Sequence, residues 1–161
     1  MVISAENISS KMEDYLETIF VLQNETGVAR VGEIAKALNV KSPTVNSAIK
    51  LLTEQKLVLH EKYGYIRLTK EGRTIAKDVK DKHDILFRFL TEFLMLDSKK
   101  AEKEACCIEH SISQETFIRL TKFFKFLEDG FKDGKPRILE NFEMYIKTGK
   151  RKACERKRVS R

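Results

Sequence analysis

Val31-Gly32-Glu33-Ile34-Ala35-Lys36-Ala37-Leu38-Asn39-Val40-Lys41-Ser42-Pro43-Thr44-Val45-Asn46-Ser47-Ala48-Ile49 is the stretch whose reading decides the fold. Val31 to Leu38 has helical spacing, with Ile34, Ala35 and Leu38 on one face. Asn39 tolerates the left-handed conformation that a tight turn needs. Val40 is expected to plug that turn. Ser42 can cap a second helix and Pro43 can take its first position. Val45, Ala48 and Ile49 then face inward, and the small Ala35 lets the two helices cross closely. These apolar positions have the spacing of a helix-turn-helix, in which the second helix enters a major groove. A generic pair of packed helices is the bland alternative.

The flanks extend the reading. Ser10-Lys11-Met12-Glu13 has the form of a capping box, and Met12, Tyr15, Leu16, Ile19 and Leu22 give the following helix an apolar face that ends before Gly27. Val28 to Arg30 forms a short strand. Leu57–Glu61 and Tyr65–Leu68 are two strands joined by a turn at Lys62-Tyr63-Gly64, the wing of a winged helix. Thr69 caps a helix from Lys70 to about Leu94, with Ile75, Val79, Leu86, Leu90 and Phe93 on one stripe. Phe87, Phe89 and Leu94 widen that stripe enough to suggest a second subunit against it. Asp97 or Ser98 opens a further helix and Ser113 another. Gly130 to Pro136 reads as a loop, followed by a short amphipathic helix from Arg137 to Ile146. The fold class is mainly α with a small β wing. A winged helix-turn-helix DNA-binding domain (1–73) precedes an all-helical dimerisation and metal-binding domain (74–146) and a basic, disordered tail (147–161).

Charge agrees with a polyanionic partner. The chain has 161 residues, 34% of them charged, and a net charge of +7. Residues 147–161 hold eight Lys or Arg against one acid, which is the whole +7. Residues 28–73 hold nine basic and four acidic groups, a local surplus inside an otherwise neutral body. Thr44, Asn46 and Ser47 are expected at base edges or the flanking backbone. Lys50 is expected at a phosphate, as are Lys62, Tyr63 and Arg67 on the wing; Arg30, Lys41, Ser42 and Pro43 line the entry. No signal peptide is read at the start, and Ile85–Leu96, interrupted by Arg88 and Glu92, is too short to span a bilayer. Three cysteines, two of them adjacent, make a poor disulfide framework. A cytoplasmic setting with no membrane partner fits.

Cys106-Cys107-Ile108-Glu109-His110 carries chemistry. At helical spacing Cys106, Glu109 and His110 share one side and form a partial ligand set for a transition metal. Cys107 points about 100° away and is expected to pack. Three helices then offer Asp14, Glu17, His83, Cys106, Glu109 and His110 to one site. Taken singly, His83 is an ordinary core histidine, and Asp14 and Glu17 are ordinary surface acids. No additional general base or phosphate loop accompanies them, so no enzyme is read. A winged-helix regulator answering a small organic ligand is the alternative, with Cys106 structural.

Met12-Glu13-Asp14-Tyr15-Leu16-Glu17-Thr18-Ile19, the helix-turn-helix entry, Leu68-Thr69-Lys70-Glu71-Gly72 and Glu104-Ala105-Cys106 with Glu109-His110 occur here in one order. In that order they resemble the diphtheria-toxin-repressor family of iron- and manganese-dependent transcriptional repressors, over about residues 10 to 128. The resemblance implies a homodimer that binds an inverted-repeat operator on double-stranded DNA when metal-loaded, and represses metal-uptake genes. Under it, Asp14 and Glu17 match acidic ligands of manganese-type members, and His83, Glu109 and His110 match shared ligands. Cys106 matches the iron-type residue, so the set is mixed. Phe87 and Glu102 replace ancillary-site ligands of the iron-type members, and a short form without the SH3-like domain of longer members is expected. A thiolate disfavours manganese, and hard oxygen donors suit iron(II) or manganese(II). Fe(II) is therefore the first choice and Mn(II) the second, with Co(II), Ni(II) or Zn(II) able to bind in vitro.

Overall fold

The computed structural model describes residues 8–61, 64–129 and 137–150. The expected turn residues Lys62 and Tyr63, the loop 130–136 and the tail from 151 lie outside the described residues. The elements are α1 (Ser10–Thr26), β1 (Ala29–Arg30), α2 (Val31–Ala37), α3 (Ser42–Glu54), β2 (Val58–His60) and β3 (Tyr65–Leu68). They continue with α4 (Lys70–Arg88), a π-helical turn (Phe89–Phe93), α5 (Ser98–Glu109), α6 (Gln114–Asp129) and α7 (Arg137–Thr148). The strands form one antiparallel sheet in the order β1-β3-β2, with Ala29 opposite Ile66 and Val58 opposite Leu68.

The helix-turn-helix forms as its residues dictate. Asn39 takes a left-handed φ of 51°, and Val40 N–H returns to the Ala35 carbonyl at 3.0 Å. Ile34, Val45, Ala48, Ile49 and Leu52 are buried with Leu16 and Ile19 of α1 and Leu57, Val58 and Ile66 of the wing. Gln23 is buried among them, and its Oε1 accepts the Leu68 N–H at 3.2 Å, which ties α1 to β3. Two local expectations fail. Val40 is 36% exposed rather than a buried plug. Ser42 is already the first helical residue; Lys41 holds the cap position, and no side chain caps α3.

The expected capping box of α1 is absent as well. Ser9 occupies the cap, and its carbonyl accepts from the Met12 and Glu13 N–H groups. The Glu13 side chain is turned elsewhere, to a place described below. Thr69 caps α4 as expected, accepting from Gly72 N–H at 3.1 Å. Asp97 caps α5 through Lys99 N–H at 3.0 Å.

α4 joins two cores. Its first turns, Ile75 and Ala76, belong to the winged-helix core. Its later residue Leu86, with Leu90 of the π-helical turn and Ala101 and Ala105 of α5, forms the second. The sequence division at 73/74 thus falls within a continuous helix. That helix ends at Arg88, not near Leu94, because the chain widens into one π-helical turn over Phe89–Phe93. Phe93 packs edge-on against Phe124 of α6 at 4.8 Å between centroids. Phe123, Phe126, Tyr145 and Ile146 of α6 and α7 are exposed.

Gly72 is where α4 meets the backbone at Leu57, just before β2. A Cβ there would lie 2.0 Å from the Leu57 carbonyl oxygen, a backbone atom that also accepts from Thr69 N–H at 3.0 Å. Gly72→Ala must push α4 off the wing. It should cost about 3 kcal/mol and lower the melting temperature by roughly 6–12 °C in a chain of this size. Thermal unfolding followed by circular dichroism checks this, and an unchanged melting temperature would contradict the close approach.

Candidate metal centre and nucleic-acid interface

α1 and α5 both pack on α4. This places the acids of α1's first turns over the C-terminal end of α5, with His83 of α4 beside them. Asp14, Cys106, Glu109 and His110 converge, their candidate ligand atoms all within 4.8 Å of one another.

Glu109 is the centre of the arrangement. Its side chain is fully buried. Oε2 accepts from His83 Nδ1 at 2.6 Å. Oε1 is buried without a hydrogen-bond partner, although His110 Nε2 stands 3.3 Å away. Leaving a buried acceptor unsatisfied costs on the order of 1–3 kcal/mol, more when it is charged. An unpartnered carboxylate oxygen facing Asp14, Cys106 and His110 is a donor set that suits a cation, so the residues fit a metal.

Both imidazoles sit between carboxylates. His110 Nε2 is 2.8 Å from Asp14 Oδ1, and His110 Nδ1 is 2.6 Å from Glu13 Oε2. Burial opposes a charge on this ring, but the hydrogen bonds to Glu13 and Asp14 outweigh it and raise its pKa. His83 is raised too, first by its hydrogen bond to Glu109, against the effect of burial. Its Nε2 lies 3.3 Å from Glu102. Burial, then the charges of Glu109 and Asp14, pushes the Cys106 thiol up to about 11.

Of the six expected metal residues, four meet in this cluster. Glu17 and His83 stand against it instead. Glu17 Oε1 is 3.8 Å from Lys80 Nζ, and its carboxyl is pushed up by burial and by the charge on Glu109. His83 reaches the cluster through Glu109. Cys106 is exposed rather than packed, and so is Cys107, contrary to its expected packing, because it lies on the solvent side of α5. Sequence reasoning did not place Glu13 here. Its only signal was a position next to Asp14, and the Ser10–Glu13 pattern had a sufficient explanation as a cap.

Lys41, Ser42, Pro43, Thr44, Asn46, Ser47 and Lys50 all lie on the exposed face of α3 or at its start. Ser47 Oγ donates to the Pro43 carbonyl at 3.1 Å. Arg30 stacks over the Tyr65 ring at 5.1 Å and donates to its hydroxyl at 3.3 Å. Arg67 pairs with Glu61 at 3.3 Å on the wing. Both arginines are exposed and held in place by these contacts.

A family description, the iron dependent repressor N-terminal DNA binding domain, matches residues 7–66. A second, the iron dependent repressor metal binding and dimerisation domain, matches residues 69–139. An uncharacterised HTH-type transcriptional regulator of Methanocaldococcus jannaschii is 40% identical over 123 residues, 76% of this chain and 98% of that protein. The chain belongs to the iron-dependent repressor family.

As a member it is a metal-dependent DNA-binding repressor that forms a homodimer, and not a member of an enzyme family. The HTH-type transcriptional regulator MntR of Bacillus velezensis is 34% identical over 118 residues, 73% of this chain and 82% of that protein. The solved structure of the manganese regulator SloR superposes with a TM-score of 0.65 at 31% identity, covering 71% of this chain and 54% of that one. The repressor here therefore spans about half the length of that structure. Among the described residues no helix is long and apolar enough to cross a membrane.

Proposed function

We propose that this repressor is a cytoplasmic sensor of Fe(II), with Mn(II) as second choice, that silences metal-homeostasis genes by binding an inverted-repeat operator. The observation that carries the reading is the buried, unpartnered Glu109 oxygen facing Asp14, Cys106 and His110. Those four side chains would hold the ion, with Glu17 and His83 completing the set. A bound divalent cation would supply positive charge among these donors. Ligation through the Cys106 thiolate would release the thiol proton, so metal affinity would rise with pH. The thiolate, among carboxylates and imidazoles, favours Fe(II), while Co(II), Ni(II) and Zn(II) suit the same donors in vitro.

Asp14 belongs to the helix that opens the DNA-binding half, whereas Cys106, Glu109 and His110 belong to the helical half. Holding one ion between them selects one placement of the two recognition helices in the dimer, about 34 Å apart for successive major grooves. Metal and operator must then strengthen each other's binding by the same factor. Gel shifts on a palindromic operator, metal-free and with Fe(II) or Mn(II), test the reading. Equal binding with and without metal would overturn it.

The recognition face yields a separate prediction. Replacing Ser47 should change sequence preference, with each lost base contact worth roughly 1–3 kcal/mol. Lys50→Ala should weaken all sequences alike and make the salt dependence shallower. Binding-site selection with each variant, repeated at two salt concentrations, measures both. An unaltered preference for Ser47 variants would refute the docking.

A further inference from the structure

We propose that Glu13 is the positioning residue of the metal site, accepting the Nδ1–H of His110 so that Nε2 is the ring nitrogen presented to Asp14, Cys106 and Glu109. This rests on the metal reading above. The contact is 2.6 Å long and joins residues 97 positions apart, on α1 and α5. Both side chains are largely buried, at 15% and 11% exposure, so the hydrogen bond is little weakened by water.

A neutral imidazole has one nitrogen that donates and one that accepts. With Nδ1–H committed to Glu13, Nε2 is the nitrogen left to the donor cluster, where it is hydrogen-bonded to Asp14 and would give its lone pair to an ion. Nε2 is the nitrogen that lies 2.8 Å from Asp14 Oδ1 and 3.3 Å from Glu109 Oε1. Glu13 and Asp14 are consecutive in sequence, yet they reach opposite nitrogens of one ring, which is clamped between them. A carboxylate in this relation to a ligating histidine fixes ring orientation and raises ligand basicity. The competing job for Glu13, closing a capping box with Ser10, is not performed, since Ser9 holds the cap. The acid is spent on His110 instead of the helix end.

The test compares Glu13→Ala, Glu13→Gln and His110→Ala in the full-length dimer. Co(II) affinity is read from its visible absorption, and ring nitrogen shifts are read in the apo and Zn(II)-loaded protein. Three histidines in the chain make the assignment short. Glu13→Ala should weaken Co(II) binding by roughly 10–100-fold and abolish the His110 Nδ1–H signature of a carboxylate-bonded tautomer. Glu13→Gln keeps an acceptor oxygen and should recover most of the affinity. Unchanged Co(II) affinity and an unchanged tautomer in Glu13→Ala would overturn the inference, as would a Gln variant no better than Ala. If Glu13→Ala does not fold, Glu13→Gln decides, with a several-fold loss and a weakened Nδ1 hydrogen bond expected and no change in either overturning it. If His110→Ala also leaves Co(II) binding intact, the metal reading itself falls. If only Glu13→Ala does, the positioning role alone falls.

Discussion

Glu109→Gln should reduce metal-dependent operator binding to the metal-free level, a loss of roughly 10³-fold or more if the specific complex collapses to nonspecific affinity. The glutamine oxygen can still accept from His83 Nδ1, so the contact now 2.6 Å long survives. The fold and the dimer should survive with it. What disappears is the charge on a fully buried group and the unpartnered oxygen that faces the other donors. The amide NH₂ would take that oxygen's place and offer hydrogens where a cation needs a lone pair. His110→Ala should have the same effect by removing the group that links α5 to both acids of α1. Size-exclusion chromatography and gel shifts with and without metal measure the two consequences separately. A dimeric Glu109→Gln protein that still responds to Fe(II) would exclude Glu109 from the site.

Cys106→Glu should shift the response from Fe(II) towards Mn(II), changing the ratio of their affinities by about tenfold or more, ~1.4 kcal/mol. The reasons are donor hardness and protonation. The thiol of this exposed residue, held up to about 11 by partial desolvation and by Glu109 and Asp14, must surrender a tightly held proton to ligate. A soft metal compensates for that better than Mn(II) does. A carboxylate needs no such deprotonation at neutral pH and offers a hard donor. The residue is exposed, so the longer glutamate has room. Titrating parent and variant with both metals, while following operator binding and thermal unfolding, gives the answer. A folded variant with the parent's preference would remove Cys106 from the ligand set.

Much of the fold was legible because single residues carry strong backbone requirements. Asn39 announced a left-handed turn and adopts it. Thr69 and Asp97 announced helix starts and cap them. Periodicity alone located the apolar faces of α1, α3 and α4. The π-helical turn after Arg88 was not legible, since an apolar run keeps its composition when one residue is inserted into the register. Val40 was misjudged because the sequence shows that a turn residue is apolar but not whether anything covers it. In the candidate site, helical spacing brought Cys106, Glu109 and His110 together correctly. Spacing could not tell that Glu17 would stand beside Lys80, outside the cluster of four. It also could not tell that Glu13 would abandon the helix end, because a capping acid and a histidine-binding acid look identical in one dimension.

The continuity of α4 bears on how the protein comes apart. Ile75 and Ala76 sit in one core and Leu86 in the other, on a single uninterrupted helix. Melting either core frays a rod on which the other depends, so the halves are coupled in denaturation as well as in signalling. A fragment severed at residue 73 would lose two of its own buried side chains and cut the helix after its first turn. The smallest autonomous DNA-binding unit must therefore borrow the next turn of α4, and intact chains should unfold in one cooperative step rather than two.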